Sequence, residues 1–223
     1  MNKKILILFP KDATTDFLDE IVDYLSKNVN PALFAVVRVE GTDQSHKIAL
    51  KQITDPVYGV VIFLGHGTSS ALYGAVEAKY KNETFITSKN FQVFKKKSII
   101  LVSCESKSLL KKQKAVGIIE AIGFGDLPTD WKDISSARES DINAYKGLTP
   151  DLTSLFRIAL VEILKYSLAD FINRGLSITQ LYELLLLRTN KRIVKYYLVD
   201  RIAMTPVSDT LLRMKQELTL MIK

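Results

Sequence analysis

Gly59-Val60-Val61-Ile62-Phe63-Leu64 runs directly into Gly65-His66-Gly67, and Ser98-Ile99-Ile100-Leu101-Val102 runs into Ser103-Cys104-Glu105-Ser106. Each run is apolar without alternation, short enough for a strand, and bounded by small or polar residues. That is how a strand buried on both faces of a parallel sheet reads. Two such strands ending together would place an imidazole beside a thiol.

Working outward, the first half alternates strands and helices. Ile5 to Phe9 and Leu33 to Val39 read as strands, Thr15 to Lys27 and His46 to Ile53 as helices, and Val116 to Gly125 as a further strand beyond a short lysine-rich helix. Leu72 to Phe94 alternates weakly, which predicts a small hairpin or lid over the strand ends. This order predicts an open α/β sheet, mostly parallel, with helices on both faces.

From 149 to 223 the chain reads as helical. Thr149-Pro150-Asp151 starts one helix and Asn173-Arg174-Gly175 stops it; Ser177, with Gln180 three residues on, starts the next. Thr205-Pro206 is expected to separate off a last amphipathic helix, Val207 to Ile222, and polar Asp133 to Lys146 to form an exposed loop. With no repeat and no low-complexity linker, a single domain over 1–223 is expected.

Composition sets the outer limits. The chain has 223 residues, 47% of them apolar, enough for one sizeable core. Its charge is 31 − 24 = +7, but the lysines fall in dispersed clusters with no zinc spacing or basic helix, so direct nucleic-acid binding is not expected. The one cysteine cannot form an internal disulfide, which suits a reducing, cytoplasmic setting. The apolar run after Lys3-Lys4 is too short for a secretory segment, and none approaches the roughly 18 residues of a membrane span. No membrane contact is expected.

At the carboxyl ends of parallel strands, loops leave a rigid scaffold and reacting groups gather. The glycines around His66 allow a sharp turn with open amides, which an oxyanion site requires, and a thiol is a stronger nucleophile at neutral pH than any hydroxyl and can be tuned by a neighbouring imidazole. Taken singly, Cys104 reads as a small buried hydrophobe and His66 as a turn residue. Their joint placement at two strand ends, 104 − 66 = 38 residues apart, favours chemistry. A phosphate-binding role for Gly65-His66-Gly67 lacks both glycine-rich nucleotide patterns. His46, in Gln44-Ser45-His46-Lys47, reads as a surface or cap residue.

Phe63-Leu64-Gly65-His66-Gly67 with Ile100-Leu101-Val102-Ser103-Cys104-Glu105-Ser106 resembles the paired motifs of caspase-like cysteine peptidases, most closely the CHAT subgroup related to separases. Ile122 to Asp130 resembles that subgroup's next strand and its acidic segment, and Phe171 to Leu181 its paired closing helices. The chain departs from the pattern in having Lys107-Ser108-Leu109-Leu110 where a glycine-rich continuation is usual, and in having its tryptophan, Trp131, after Asp130. The resemblance implies that Cys104 attacks a peptide carbonyl and that His66 exchanges the proton. It also implies that the Gly67 and Cys104 amides hold the oxyanion, with Ser103 and Glu105 as flankers. Asp126 and Asp130, with Asp133 as a third candidate, would receive a basic substrate side chain, although Leu127-Pro128-Thr129-Asp130 equally reads as a helix start. The implied protein is a cytoplasmic endopeptidase, in bacterial defence or stress signalling, with a polypeptide substrate, a regulatory protein partner and no metal or cofactor. The alternative is a caspase-like binding or scaffold module whose dyad goes unused.

Overall fold

The computed structural model describes residues 4–77 and 84–223. Its strands are β1 (Lys4–Pro10), β2 (Phe34–Val39), β3 (Tyr58–Leu64), β4 (Ala71–Tyr73), β5 (Thr84–Thr87), β6 (Ser98–Val102), β7 (Glu120–Gly123) and β8 (Thr219–Ile222). Its helices are α1 (Asp19–Asn28), α2 (Asp43–Thr54), α3 (Ser106–Lys112), α4 (Trp131–Ser140), α5 (Pro150–Arg174), α6 (Ile178–Val199) and α7 (Arg201–Glu217). Six strands form one sheet in the order β2-β1-β3-β6-β7-β8, parallel throughout except for antiparallel β8.

Alternation along the strands divides the core. Ile5, Ile7, Phe9, Ile62, Leu64, Ile100, Val102 and Ile122 face α1 and the long helices α5 to α7. Leu6, Leu8, Val61, Phe63, Ile99, Leu101 and Ala121 face α2, α3 and the β4–β5 pair. Period-two side-chain direction therefore makes a sheet with both faces covered, as the unbroken apolar runs require. The β4–β5 pair is the antiparallel hairpin expected between Leu72 and Phe94; residues 78–83 between its strands lie outside the described residues.

Local caps fix the helix ends. Ser177 and Gln180 form a reciprocal capping box at α6, and Gly175 takes the left-handed conformation (φ 60°) that closes α5. Two expectations fail. Trp131 to Ser140 is helical, where an exposed loop was expected: Asp130 caps its start, but only Ile134 is buried, so no apolar stripe marks it. Arg138 then binds the carbonyls of Ala144, Tyr145 and Leu148, which secures the following turn.

The second correction concerns the C-terminus. The last helix starts at Arg201, capped by Asp200, and carries Pro206 inside it; after Glu217 the chain extends as β8 against β7. Thr219-Leu220-Met221-Ile222 has the composition of a strand, and its pairing seals one side of β7, a long-range effect that periodicity does not report. Among the described residues no helix is long and apolar enough to cross a membrane.

Candidate active site

Strands β3 and β6 are neighbours, with Leu64 opposite Val102 in register. His66 and Cys104 each follow two residues later, so the backbone ladder delivers both to the carboxyl end of the two central strands. They line the same cleft, of ≈ 20 Å³, with Thr15, Leu127 and Leu160. That volume holds about one water, so a peptide must meet the site from its open side. Larger hollows of ≈ 350 and ≈ 390 Å³ lie at the opposite end of the strands, against Ile118–Ala121 and Lys4–Ile5, away from the imidazole and the thiol.

The turn after β6 is tightly held. The Ser106 hydroxyl bonds the carbonyls of Leu101 and Ser103 and accepts the N–H of Phe124, while the Glu105 N–H reaches the Gly125 carbonyl. Glu105 itself sits at φ 54°, a conformation an L-residue adopts at a cost and keeps only when its surroundings fix it. The turn after β3 is shaped by contact: a Cβ on Gly67 would stand 2.7 Å from the Ser103 hydroxyl. That hydroxyl is buried and without a hydrogen-bond partner among the described residues. The Gly67 and Cys104 N–H groups likewise take no acceptor among the described residues.

His66 has a partner that sequence reading missed. Thr14 Oγ1 is 2.5 Å from His66 Nε2 and donates to Asp12 Oδ1 at 2.6 Å, while the Thr14 N–H binds the same oxygen at 2.8 Å. Because the carboxylate only accepts, the threonine proton points to Asp12 and its oxygen must accept from the imidazole. Nε2 therefore carries a proton, and in the neutral ring the lone pair is on Nδ1. Asp12 Oδ1 also lies 3.7 Å from Nε2. Lys11-Asp12-Ala13-Thr14-Thr15, just past β1, has the composition of an ordinary turn, and only the adjacency of β1 to β3 gives it a role.

Cys104 Sγ donates to the Leu127 carbonyl at 3.4 Å. Burial pushes its pKa up to about 11, Asp126, Asp133 and Glu105 add repulsion, and donation of its proton to the Leu127 carbonyl favours the thiol form as well. The resting thiol is thus protonated at neutral pH.

Asp126 receives the Tyr145 hydroxyl at 2.5 Å and lies 3.9 Å from Arg213, and burial with this contact raises the tyrosine's pKa. Asp130 caps α4 by accepting the Lys132 N–H at 2.8 Å, the helix-start role its sequence context allowed. Asp133 lies in the first turn of α4. His46 corrects its surface assignment. It is 7% exposed, bonds the Thr42 carbonyl through Nδ1 at 2.7 Å, and accepts the Ala75 N–H at Nε2 at 3.2 Å. It thereby clamps α2 to the hairpin, a long-range contact that its polar neighbours Ser45 and Lys47 conceal.

Glu217, at the end of α7, was also missed. It accepts the Asp126 N–H, pairs with Lys107 at 3.0 Å, and fills the space above Gly125. Burial opposes its charge, but Lys107, the Asp126 amide and Arg213 outweigh it and hold the carboxyl below 4.5. The stability it supplies is complete above its ordinary pKa and is lost as pH falls through the lowered folded value. Glu217→Gln should flatten the acid side of the stability profile below about pH 4.5, read by denaturant melts across pH. An unchanged acid limb contradicts this.

No protein-family model matches the chain, and no curated protein matches it.

Proposed function

We propose that the protein is a cysteine endopeptidase of the caspase-like, CHAT-type group, cleaving polypeptides through Cys104 and His66. The observation that carries this reading is the register of β3 and β6, which brings an imidazole and a thiol to one cleft beside two open amides. In the first step Cys104 Sγ attacks the substrate carbonyl carbon while its proton passes to His66 Nδ1. The Gly67 and Cys104 amides hold the oxyanion, where a single donor is worth roughly 3 kcal/mol of barrier. Collapse releases the amine with the proton from His66. Water, deprotonated by the same nitrogen, then attacks the thioester and frees the acid.

Thr14 and Asp12 act as positioning residues, holding the ring in the Nε2–H tautomer so that Nδ1 remains the base. Thr14→Val should lower turnover on the order of tenfold to a hundredfold by loosening the ring. It should also shift the His66 ring nitrogens' NMR signals toward a tautomer mixture in the resting protein, whereas an unchanged tautomer contradicts the role.

Asp126 and Asp133, whose charges act on the thiol, favour a basic residue before the scissile bond, and they are the candidates to receive it, with the α4 cap Asp130 beside them in the chain. A regulatory protein partner and a cytoplasmic setting belong to the same reading. One observation favours the alternative, an unused dyad in a binding module: at rest the thiol is protonated and bonded to Leu127. Peptide turnover separates the two. Fluorogenic peptides ending in Arg or Lys should be hydrolysed in a reaction that alkylation stops. No turnover across a broad peptide library would leave the binding module.

A further inference from the structure

Beyond the sheet, the α6–α7 hairpin leaves its tip uncovered. From 190 to 206 only Tyr196 is buried, although the stretch is rich in aliphatic residues. Leu198 is 81% exposed, Val199 70% and Ile202 88%, all flanking the Asp200 corner, and Val194 lies one turn below. Single exposed aliphatics are ordinary; three at one apex are not.

The charges around this apex are predominantly of one sign. Between Leu184 and Ser208 the cations are Arg188, Lys191, Arg192, Lys195 and Arg201, and the sole carboxylate is Asp200. Arg188 is paired with Asp170 and Arg192 with Glu162, while Asp200 accepts the Ile202 and Ala203 amides as the cap of α7. Lys191, Lys195 and Arg201 have no ion pair among the described residues. The apex is the turn between two helices; a groove between α5 and α6 lies below it, lined by Glu162, Tyr166, Lys191 and Lys195 among others.

We propose that the α6–α7 tip docks on an anionic lipid bilayer, with Leu198, Val199 and Ile202 entering the acyl boundary and Lys191, Lys195 and Arg201 meeting headgroups. The axial spacing fits. At 1.5 Å per residue, Lys195 and Lys191 stand about 5 and 11 Å back from Leu198, close to the roughly 5–10 Å an interfacial helix buries. Insertion of the aliphatics and attraction of the cations act together, as lasting peripheral attachment requires, and the overall charge of +7 adds long-range attraction. A second copy is disfavoured, because tip-to-tip contact would oppose the same cations. An acidic protein partner would need a concave surface shaped to a protruding apex, whereas a bilayer deforms to it. Such a contact is peripheral, so the absence of a spanning stretch does not bear on it, and it stands independently of Cys104 chemistry.

The test is co-sedimentation of the full chain with phosphatidylcholine vesicles, with and without about 30% phosphatidylglycerol, at low and high salt. The wild-type chain should partition at least about tenfold more onto the anionic vesicles, and salt should weaken it. Leu198→Ser with Ile202→Ser should lose about tenfold in binding while keeping the wild-type melting temperature, since both side chains are exposed. Lys191→Gln with Lys195→Gln should lose the preference for phosphatidylglycerol. Absence of wild-type binding overturns the proposal. So does binding that survives the double serine change, which would be attraction by whole-molecule charge alone. A shift in oligomeric state on the serine change, without vesicle binding, makes the tip a protein contact and overturns it equally.

Discussion

Exchanging Cys104 for alanine is expected to remove peptide hydrolysis by at least about three orders of magnitude in kcat/KM, because no other thiol exists to form the thioester. His66→Ala should cost a similar factor. The thiol it must deprotonate has a pKa of about 11, so only about one molecule in ten thousand is thiolate at pH 7 without a base. The double variant should be little worse than either alone, since each removes the same step. Folding should survive, because Cys104 is only partly buried and alanine fills most of its volume. The pH dependence provides a second check. In the free protein, alkylation of Cys104 should accelerate about tenfold per pH unit from neutrality and level off near pH 11. A rate that levels off near neutral pH would mean the thiol is activated at rest, contrary to its burial and its bond to Leu127.

The largest expected loss of stability without loss of the dyad is at Gly74. A Cβ there would stand 2.0 Å from His46 Nε2 and 2.6 Å from its Cδ2, and both residues are buried. The ring is fixed by Thr42 on one side and Ala75 on the other, so it cannot swing away without leaving a buried amide unpaired. Gly74→Ala should therefore cost about 3 kcal/mol. At roughly 2–4 °C per kcal/mol for a chain of this size, the melting temperature falls by about 6–12 °C. His46→Ala should cost about 2 kcal/mol by removing the clamp. The double variant should be less damaging than the sum by about 1–2 kcal/mol, because the new methyl enters space the ring has left. Calorimetry or chemical denaturation of the four proteins measures the coupling; simple additivity contradicts the contact.

The sheet could be read from its apolar runs because the central strands are buried on both faces, as Val61 to Leu64 and Ile99 to Val102 are. Glycine and cap residues likewise mark the ends of α5 and the start of α6 in the sequence itself. What escaped depends on distance along the chain. β8 is set by its pairing to β7, about a hundred residues earlier, and α4 buries too little to show a stripe. At the site, strand ends predicted the convergence of His66 and Cys104, but the fixing of His66 by Thr14 crosses 52 residues and that of Asp126 by Glu217 crosses 91. Polar side chains in turns carry no periodic signal, so their partners appear only once the sheet order is known. His46 was misjudged for the same reason.

The central claim is that the adjoining ends of two central strands make Cys104 a nucleophile with His66 as its proton carrier. Mass spectrometry after exposure to a basic peptidyl acyloxymethyl ketone addresses it most directly. One thioether adduct should form on Cys104 in the wild-type chain, slow by at least a hundredfold in His66→Ala, and be absent from Cys104→Ala. Equal labelling of the wild-type and His66→Ala chains, or none in either, would contradict it.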